Sequence, residues 1–380
     1  MMKVVTVLGA RPQFVKAAMV SKAIAAHNTE KPQPEQIAEI LLHTGQHYNY
    51  EMSDVFFETL ELPAPLYHLG VGSGAHGRQT AEMLNGCEQV LLKEEPDMVV
   101  LYGDTNSTLA GALAAAKLQL PVAHVEAGLR SFNRRMPEEI NRLVADHLST
   151  LLFAPTSTAV RNLEREGITC GVSLTGDVMF QAAMQHLEIA RQQSKILQQL
   201  QLGPGTYALA TVHRADNTDS RERLLNIIEA LIQIGKERPV IWPVHPRTRK
   251  ALDEISFSLP IQNRVRLLPP VPYQDMLVLE ASAQMVLTDS GGVQKEARWF
   301  NVPCITLREE TEWLETLEGG WNRLAGAKIT RILEAVQQIT NAPPTVSDDR
   351  NVSSTAAETI VSQLFAYSQR KGGRGCESSF

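Results

Sequence analysis

The sequence predicts an α/β protein of two doubly wound domains, each built on a mostly parallel sheet, facing one another across a cleft. Three observations carry this. Short apolar runs alternate with helix-length amphipathic stretches almost throughout, which is the rhythm of βαβ units. Those runs are nearly continuous in Val, Leu and Ile, as strands covered on both faces are. The length of 380 residues exceeds one ordinary core and suits two of roughly 150–200 each.

The elements follow in order. VVTVLG (4–9) precedes a helix-like 12–27, and IAEILLHT (37–44) precedes 49–60. DMVVLYG (97–103) leads to 105–119, VAHVEA (122–127) to 137–148, and LLFAP (151–155) to 156–166. A helical segment, 180–200, ends in LGPG (202–205) and marks the boundary, so the first domain is expected over 1–180. The second, over 205–345, carries YALATV (207–212), VIWPV (240–244), VRLLP (265–269), QMVLTD (284–289) and CITL (304–307). The last helix-like stretch, 353–368, has no strand after it. The polar tail, 369–380, is expected to be disordered. In open parallel sheets, ligands bind beyond the carboxyl ends of the strands, so the cleft is the expected site.

Composition narrows the function. A net charge of −6 leaves no basic footprint for nucleic acid. No 18-residue apolar run exists, and the start MMKVVTVLGARPQ is too short and too quickly polar for a secretory signal. Cys87, Cys170, Cys304 and Cys376 are scattered without metal-type spacing, so a cytoplasmic protein with no metal and no membrane partner is expected.

The charged motifs sit where strands end. Gly9-Ala10-Arg11-Pro12-Gln13-Phe14-Val15-Lys16 follows the first strand. Arg11 and Pro12 stand where a dinucleotide fold places glycines, which argues against tightly bound NAD. The two cations, Arg11 and Lys16, either steer a phosphorylated ligand or are solvated helix residues. Asp104 follows DMVVLYG and is either a helix N-cap or a catalytic carboxylate. Glu126 ends a strand, where a carboxylate points towards the cleft. Pro137 suits the first helical position, and Glu138 and Glu139 fall in the first turn, where the helix dipole alone accounts for them. Ile140, Leu143, Val144, His147 and Leu148 are expected to form that helix's buried face. Arg130, Arg134 and Arg135, between these carboxylates, either neutralise them or meet a substrate's negative charge. His213, His245 and Arg247 end strands of the second half. Thr288-Asp289-Ser290-Gly291-Gly292-Val293-Gln294-Lys295-Glu296 places two glycines between a strand and a helix. There backbone N–H groups can approach an anion, and Glu296, one turn on, suits a ribose diol. Together this reads as a nucleotide-diphosphate site.

With these residues in view, the chain resembles the non-hydrolysing UDP-N-acetylglucosamine 2-epimerase family. The resemblance runs from residue 3 to about 340 and rests on G-A-R-P-Q-F-V-K (9–16), Y-G-D-T (102–105), H-V-E-A-G-L-R (124–130), M-P-E-E-I-N-R (136–142), H-R (213–214) and T-D-S-G-G-V-Q-K-E-A (288–297). It implies two Rossmann-like domains in the GT-B arrangement, with UDP held mainly by the second and the last helix packed back on the first. It implies Asp104, Glu126, Glu138 and His213 as the catalytic set, with Asp104 and Glu126 doing proton work at C2. Arg11, Lys16, Ser290, Gly291, Gly292 and Glu296 match UDP-binding positions, and Arg130 and His245 are taken with them. No metal or nicotinamide cofactor is implied. A homodimer is expected, and some relatives are activated by a second, allosteric UDP-N-acetylglucosamine.

The chain departs from the commonest pattern at two places. Glu312-Trp313-Leu314-Glu315 stands for E-R-P-E, removing an arginine near the ligand, and Asp216 replaces a glutamate. H-T-G-Q-H-Y (43–48), M-S-D-V-F-F (52–57), R-S-F-N-R-R-M-P-E-E (130–139) and E-T-E-W (310–313) are closer to the branch that includes UDP-2,3-diacetamido-2,3-dideoxyglucuronate epimerases. A GT-B glycosyltransferase or a hydrolysing epimerase shares the fold; carboxylates at 104, 126 and 138 favour the epimerase, because simple transfer needs no bases around C2.

Overall fold

The computed structural model describes residues 1–46, 62–255, 265–344 and 354–370. The helix-like stretch at 49–60, the M-S-D-V-F-F motif, Cys376 and the tail beyond Arg370 lie outside these. The chain divides into two compact units: Met1–Ala182 with Asn351–Phe380, and Ala183–Arg350.

The first unit holds seven parallel strands in the order β3-β2-β1-β4-β5-β6-β7. They are β1 (Met2–Leu8), β2 (Ile37–His43), β3 (Tyr67–His68), β4 (Met98–Tyr102), β5 (Val122–Val125), β6 (Leu151–Ala154) and β7 (Val172–Leu174). Side chains alternate across the sheet. Val4, Leu8, Met98, Val100 and Tyr102 enter a core shared with the helices Arg11–Glu30 and Ala356–Arg370. Val5, Val7, Val99 and Leu101 enter the opposite one, beneath the helices His76–Glu94 and Asn106–Lys117. Both faces are therefore covered, which explains the unbroken apolar runs.

The second unit repeats the plan with six parallel strands, β10-β9-β8-β11-β12-β13. These are β8 (Ala208–Thr211), β9 (Val240–Pro243), β10 (Val265–Leu268), β11 (Met285–Thr288), β12 (Cys304–Thr306) and β13 (Asn322–Leu324). Ala208, Ala210, Met285 and Leu287 face one core; Tyr207, Leu209 and Val286 face the other. Strand order reverses at β1/β4 in the first unit and at β8/β11 in the second. Loops leaving adjacent strands diverge at such a point and open a crevice at the carboxyl ends. Every motif singled out at a strand end follows β1, β4, β5, β8, β9 or β11.

The final helix belongs to the first unit. Ala356, Ala357, Ile360, Val361 and Leu364 join the core beside the helix Arg11–Glu30. Gln181 fixes its start: Oε1 accepts from the Ala357 N–H at 2.9 Å, and Nε2 donates to both Glu358 oxygens at 3.1 and 2.9 Å. Among the described residues, no helix is long and apolar enough to cross a membrane.

Gln181→Ala leaves the buried Ala357 N–H without an acceptor, which costs about 1–3 kcal/mol. Hydrogen exchange should therefore speed up in the helix 356–370 before it does so in the sheet, and unchanged protection there would refute this docking role.

Candidate functional site

The site residues fall into two groups, one in each unit. In the first, the loop after β1 is braced by Gln13. Its Oε1 accepts from the Gly9 and Ala10 N–H groups at 2.8 and 2.9 Å, and its Nε2 donates to the Tyr102 carbonyl at 2.7 Å and to Thr108 Oγ1 at 3.1 Å. The turns after β1 and β4 are thereby tied together. Lys16, one turn further along the helix Arg11–Glu30, directs its ammonium to the Glu126 carboxylate, and both side chains are nearly buried. The side chain of Arg11 lies outside the described residues.

Glu126 is held unusually. Its φ is +75°, a left-handed conformation that costs a non-glycine residue about 1–3 kcal/mol and persists only where surroundings enforce it. Here the Glu126 and Ala127 N–H groups both donate to the Phe153 carbonyl at 3.1 Å. Gly103 is required beside it: its φ is +63°, and a Cβ there would stand 3.3 Å from both Glu126 Oε2 and Lys16 Nζ.

Asp104 is not the helix cap. Thr105 takes that role for Asn106–Lys117, its Oγ1 accepting from the Thr108 N–H. The Asp104 carboxylate instead receives Arg142 Nη2 at 2.6 Å, while the Asn141 amide donates to the Asp104 carbonyl at 2.9 Å. Arg142 also binds Glu139 through Nη1 at 2.9 Å, and among the described residues its buried Nε has no partner. Sequence reasoning missed Arg142 as a site residue. Its spacing from Glu139 (three residues on, one helical turn) was the available signal.

The helix Pro137–Leu148 overturns the expected buried face. Glu139, Asn141, Arg142, Ala145 and Asp146 are buried, while Ile140 is 41% exposed and His147 is exposed. Its C-terminal turns do reach the apolar core, through Ala145 and the expected Leu148, but its first turns meet the polar loops after β4 and β5, where the buried charges of Glu139 and Arg142 find partners. Glu139 accepts from the Ser131 N–H and Oγ–H at 2.8 and 2.9 Å and from the Phe132 N–H at 2.9 Å. Burial alone would raise its carboxyl, but these donors and Arg142 outweigh it and hold it below the usual range. Glu138 is exposed in the first turn.

Beneath these loops lies Asp146, fully buried. Its Oδ1 stands 2.7 Å from His124 Nδ1, and its Oδ2 accepts from the Gly128 N–H at 3.0 Å and from Arg130 Nη1 at 2.7 Å. His124 Nε2–H donates to the Gly103 carbonyl at 2.7 Å. Burial opposes ionisation of Asp146, but His124 and Arg130 prevail and hold its carboxyl below the ordinary range. Arg130, expected to meet a ligand, turns its guanidinium to two carboxylates. Its guanidinium is 1% exposed and closed off by Asp146 and a two-point pair with Glu166 at 2.6–2.7 Å. Four of its five N–H groups are taken, by Glu166, Asp146 and the Leu129 carbonyl.

In the second unit, Asp289 follows β11 and is fully buried, accepting from the His213 and Arg214 N–H groups at 3.0 Å and from Asn217 Nδ2 at 3.0 Å. It thereby fixes the loop after β8 that carries His213. The His213 ring lies 5.6 Å from that of His245. Burial pushes the His213 imidazole below its usual range; Asp289 opposes the shift, while His245 and Arg214 add to it. His245 caps the helix Pro246–Glu254, its Nδ1 accepting from the Arg247 N–H at 3.2 Å. Arg247 is turned away to Asp219 at 2.8 Å.

Ser290 caps the helix Gly291–Trp299. A Cβ on Gly291 would stand 2.5 Å from Glu312 Oε1 and 3.1 Å from Trp313 Nε1, so any larger residue would displace the Glu312 carboxylate; a Cβ on Gly292 would meet only Ser290 Oγ at 3.8 Å. The exposed Gly292 backbone thus opens the helix N-terminus, a favourable place for an anion. Glu296 is buried further along, its Oε1 accepting from Tyr273 Oη at 3.1 Å. Among the described residues no cluster of His, Cys, Asp or Glu could hold a metal ion.

Two parallel-sheet units of this kind make the fold class GT-B. The family described as UDP-N-acetylglucosamine 2-epimerase matches residues 30–364, and the chain belongs to it. It is 52% identical over 347 residues to a UDP-N-acetylglucosamine 2-epimerase homolog of Methanococcus maripaludis, covering 90% of this chain and 94% of the relative. It is 46% identical over 352 residues to the UDP-2,3-diacetamido-2,3-dideoxy-D-glucuronate 2-epimerase of Pseudomonas aeruginosa, covering 92% and 94%. The crystal structure of Methanocaldococcus jannaschii UDP-GlcNAc 2-epimerase in complex with UDP-GlcNAc and UDP is similar with a TM-score of 0.84 and 44% identity, covering 96% of this chain and 100% of that one.

Asp146→Asn breaks a buried ionic network and should cost about 3–5 kcal/mol of stability at neutral pH in urea unfolding. Because the Asp146 carboxyl is depressed in the fold, its contribution is complete above the unfolded value of about 3.9 and is lost as pH falls through the folded one. The gap between wild type and variant should therefore narrow in acid; a constant gap would count against the network.

Proposed function

We propose that the chain inverts C2 of a UDP-2-acetamido sugar, either UDP-N-acetylglucosamine or its 2,3-diacetamido uronate analogue, by eliminating and re-adding UDP. The C2–H is not beside a carbonyl, so simple deprotonation is too unfavourable. In elimination a base takes the C2 proton, the freed electron pair forms C1=C2, and the C1–O bond breaks with its pair leaving on UDP. Re-addition to the 2-acetamidoglucal reverses these steps, with the proton delivered to the other face.

One observation carries this reading: two carboxylates, Asp104 and Glu126, follow the neighbouring strands β4 and β5, and each is held by its own cation, Arg142 and Lys16. Proton removal and return on opposite faces of C2 call for two such groups, whereas sugar transfer to an acceptor does not. Glu138, exposed in the first turn of its helix, serves as a relay. His213, held neutral, offers a hydrogen bond to the departing diphosphate, and Arg11, Lys16, Ser290, Gly291, Gly292 and His245 complement its charge. Glu296 receives the ribose hydroxyls.

No electron transfer occurs, so the reading assigns no nicotinamide, and it assigns no metal. A cytoplasmic homodimer supplying surface-polysaccharide precursors fits the chemistry, and a second UDP-N-acetylglucosamine acting as an activator near Gln46 accords with the family.

The test is proton NMR in D₂O with either UDP-sugar and no added cofactor. Deuterium should enter C2 as the manno epimer appears, and Glu126→Gln should slow that exchange roughly 10²–10⁴-fold. Absence of exchange with both sugars, with activator present, would point to acceptor-dependent transfer instead. Arg134, exposed beside the site helix, should meet the uronate carboxylate: Arg134→Ala should lower kcat/KM for the uronate about tenfold, a loss of one charge contact, without changing that for UDP-N-acetylglucosamine. Equal losses on both sugars would remove Arg134 from sugar selection.

A further inference from the structure

Glu280 interrupts an apolar run, Leu277-Val278-Leu279, on the helix Tyr273–Ala281, and has no place in the chemistry above. It is 1% exposed and lies two turns beyond Tyr273, whose hydroxyl reaches Glu296 on the adjacent helix at 3.1 Å, so that the carboxyls of Glu280 and Glu296, the latter 7% exposed, stand against each other away from water. Two carboxylates in such contact, away from water, cannot both carry charge; one proton must lie between them.

The surroundings offer no substitute for that proton. Tyr273 Oη donates to Glu296, whereas Tyr207, just before β8, gives its hydroxyl proton to the Leu279 carbonyl at 2.6 Å. Cys304 of β12 faces Glu280 as a buried thiol that burial pushes up to about 12. Lys295 neighbours Glu296, with its ammonium over the Trp313 ring at 3.9 Å. Among the described residues no N–H or hydroxyl group donates to the Glu280 Oε2 atom. Burial, then the Glu296 charge, hold the Glu280 carboxyl well above its usual range, so the proton is kept at neutral pH and lost as pH climbs.

We propose that Glu280 is a positioning residue for nucleotide recognition: as the neutral acid it donates its proton to Glu296 and fixes that carboxylate as the acceptor for the ribose hydroxyls of a uridine nucleotide. This rests on the ribose role given to Glu296 above. Loss of the proton sets two negative charges against each other, displaces Glu296 and adds charge near a diphosphate.

The experiment is calorimetric titration of UDP into the full chain from about pH 7 to 8.5, above most of the ionisation of a terminal phosphate, whose second pKa is about 6, and below that of the uracil N3–H. Wild-type affinity should fall about tenfold across the window as like charges develop in the buried pair. In Glu280→Gln, whose amide keeps an N–H towards Glu296 at every pH, that dependence should vanish. Glu280→Met, which fills the volume without a donor, should bind UDP more weakly than wild type at pH 7, again with no slope. Methyl diphosphate, which keeps the terminal phosphate but lacks ribose, should bind without the slope in every variant. A wild-type slope retained in Glu280→Gln overturns the proposal, as does wild-type behaviour of Glu280→Met. Glu296→Ala separates the two ideas. Undiminished UDP affinity there removes the ribose role of Glu296 itself. Weakened affinity there, with the slope intact in Glu280→Gln, removes only Glu280.

Discussion

The candidate acid/base site depends on a buried carboxylate it does not display. Asp146 gathers His124, the Gly128 N–H and Arg130, and through His124 reaches the Gly103 carbonyl. The loops carrying Asp104 and Glu126 are thus braced by one charge beneath them. Ionised carboxylates are costly to bury unless paired and fully hydrogen-bonded, and Asp146 meets that condition with partners on β5 and the loop after it, His124 carrying the link on to the loop after β4. Because each partner satisfies the same charge, displacing one loop would disturb the other. That coupling gives rigidity to a turn that must also hold Glu126 at a positive φ.

The second unit solves the same problem with Asp289. Fully buried at the end of β11, it accepts backbone N–H groups from the loop after β8 and so presents the His213 side chain. In both units strand order reverses between the first and fourth strands of the sheet, and the diverging loops would be poorly supported without an internal acceptor. Parallel strands deliver the loops, and a buried aspartate shapes them. The contrast lies in what remains open: paired carboxylates in the first unit, and a helix N-terminus with a glycine backbone in the second.

Arg130 and Arg142 show how similar sequence contexts divide in space. Both are arginines among glutamates in one twenty-residue stretch. Arg130 is enclosed by Asp146 and Glu166 and acts on loop shape, while Arg142 reaches Asp104 with an Nε donor to spare. Charge count cannot separate them, because the difference is set by which partner the fold brings near.

The sequence by itself determined the architecture. Buried parallel strands must be apolar on both sides, so their runs and the helices between them were legible from β1 to β12, as was the placement of Asp104, Glu126, His213, Asp289 and Ser290 at strand ends. The short strands β3, β7 and β13, of two or three residues each, carry too little pattern to be read. Only the tertiary structure decided which face of Pro137–Leu148 turns inward. Apolar periodicity points to Ile140 and Val144, yet polar residues are buried there, because loops after β4 and β5 supply acceptors and donors that no local pattern contains. The same reason kept Glu280 hidden: a lone glutamate in an apolar run has no meaning until folding sets Glu296 beside it.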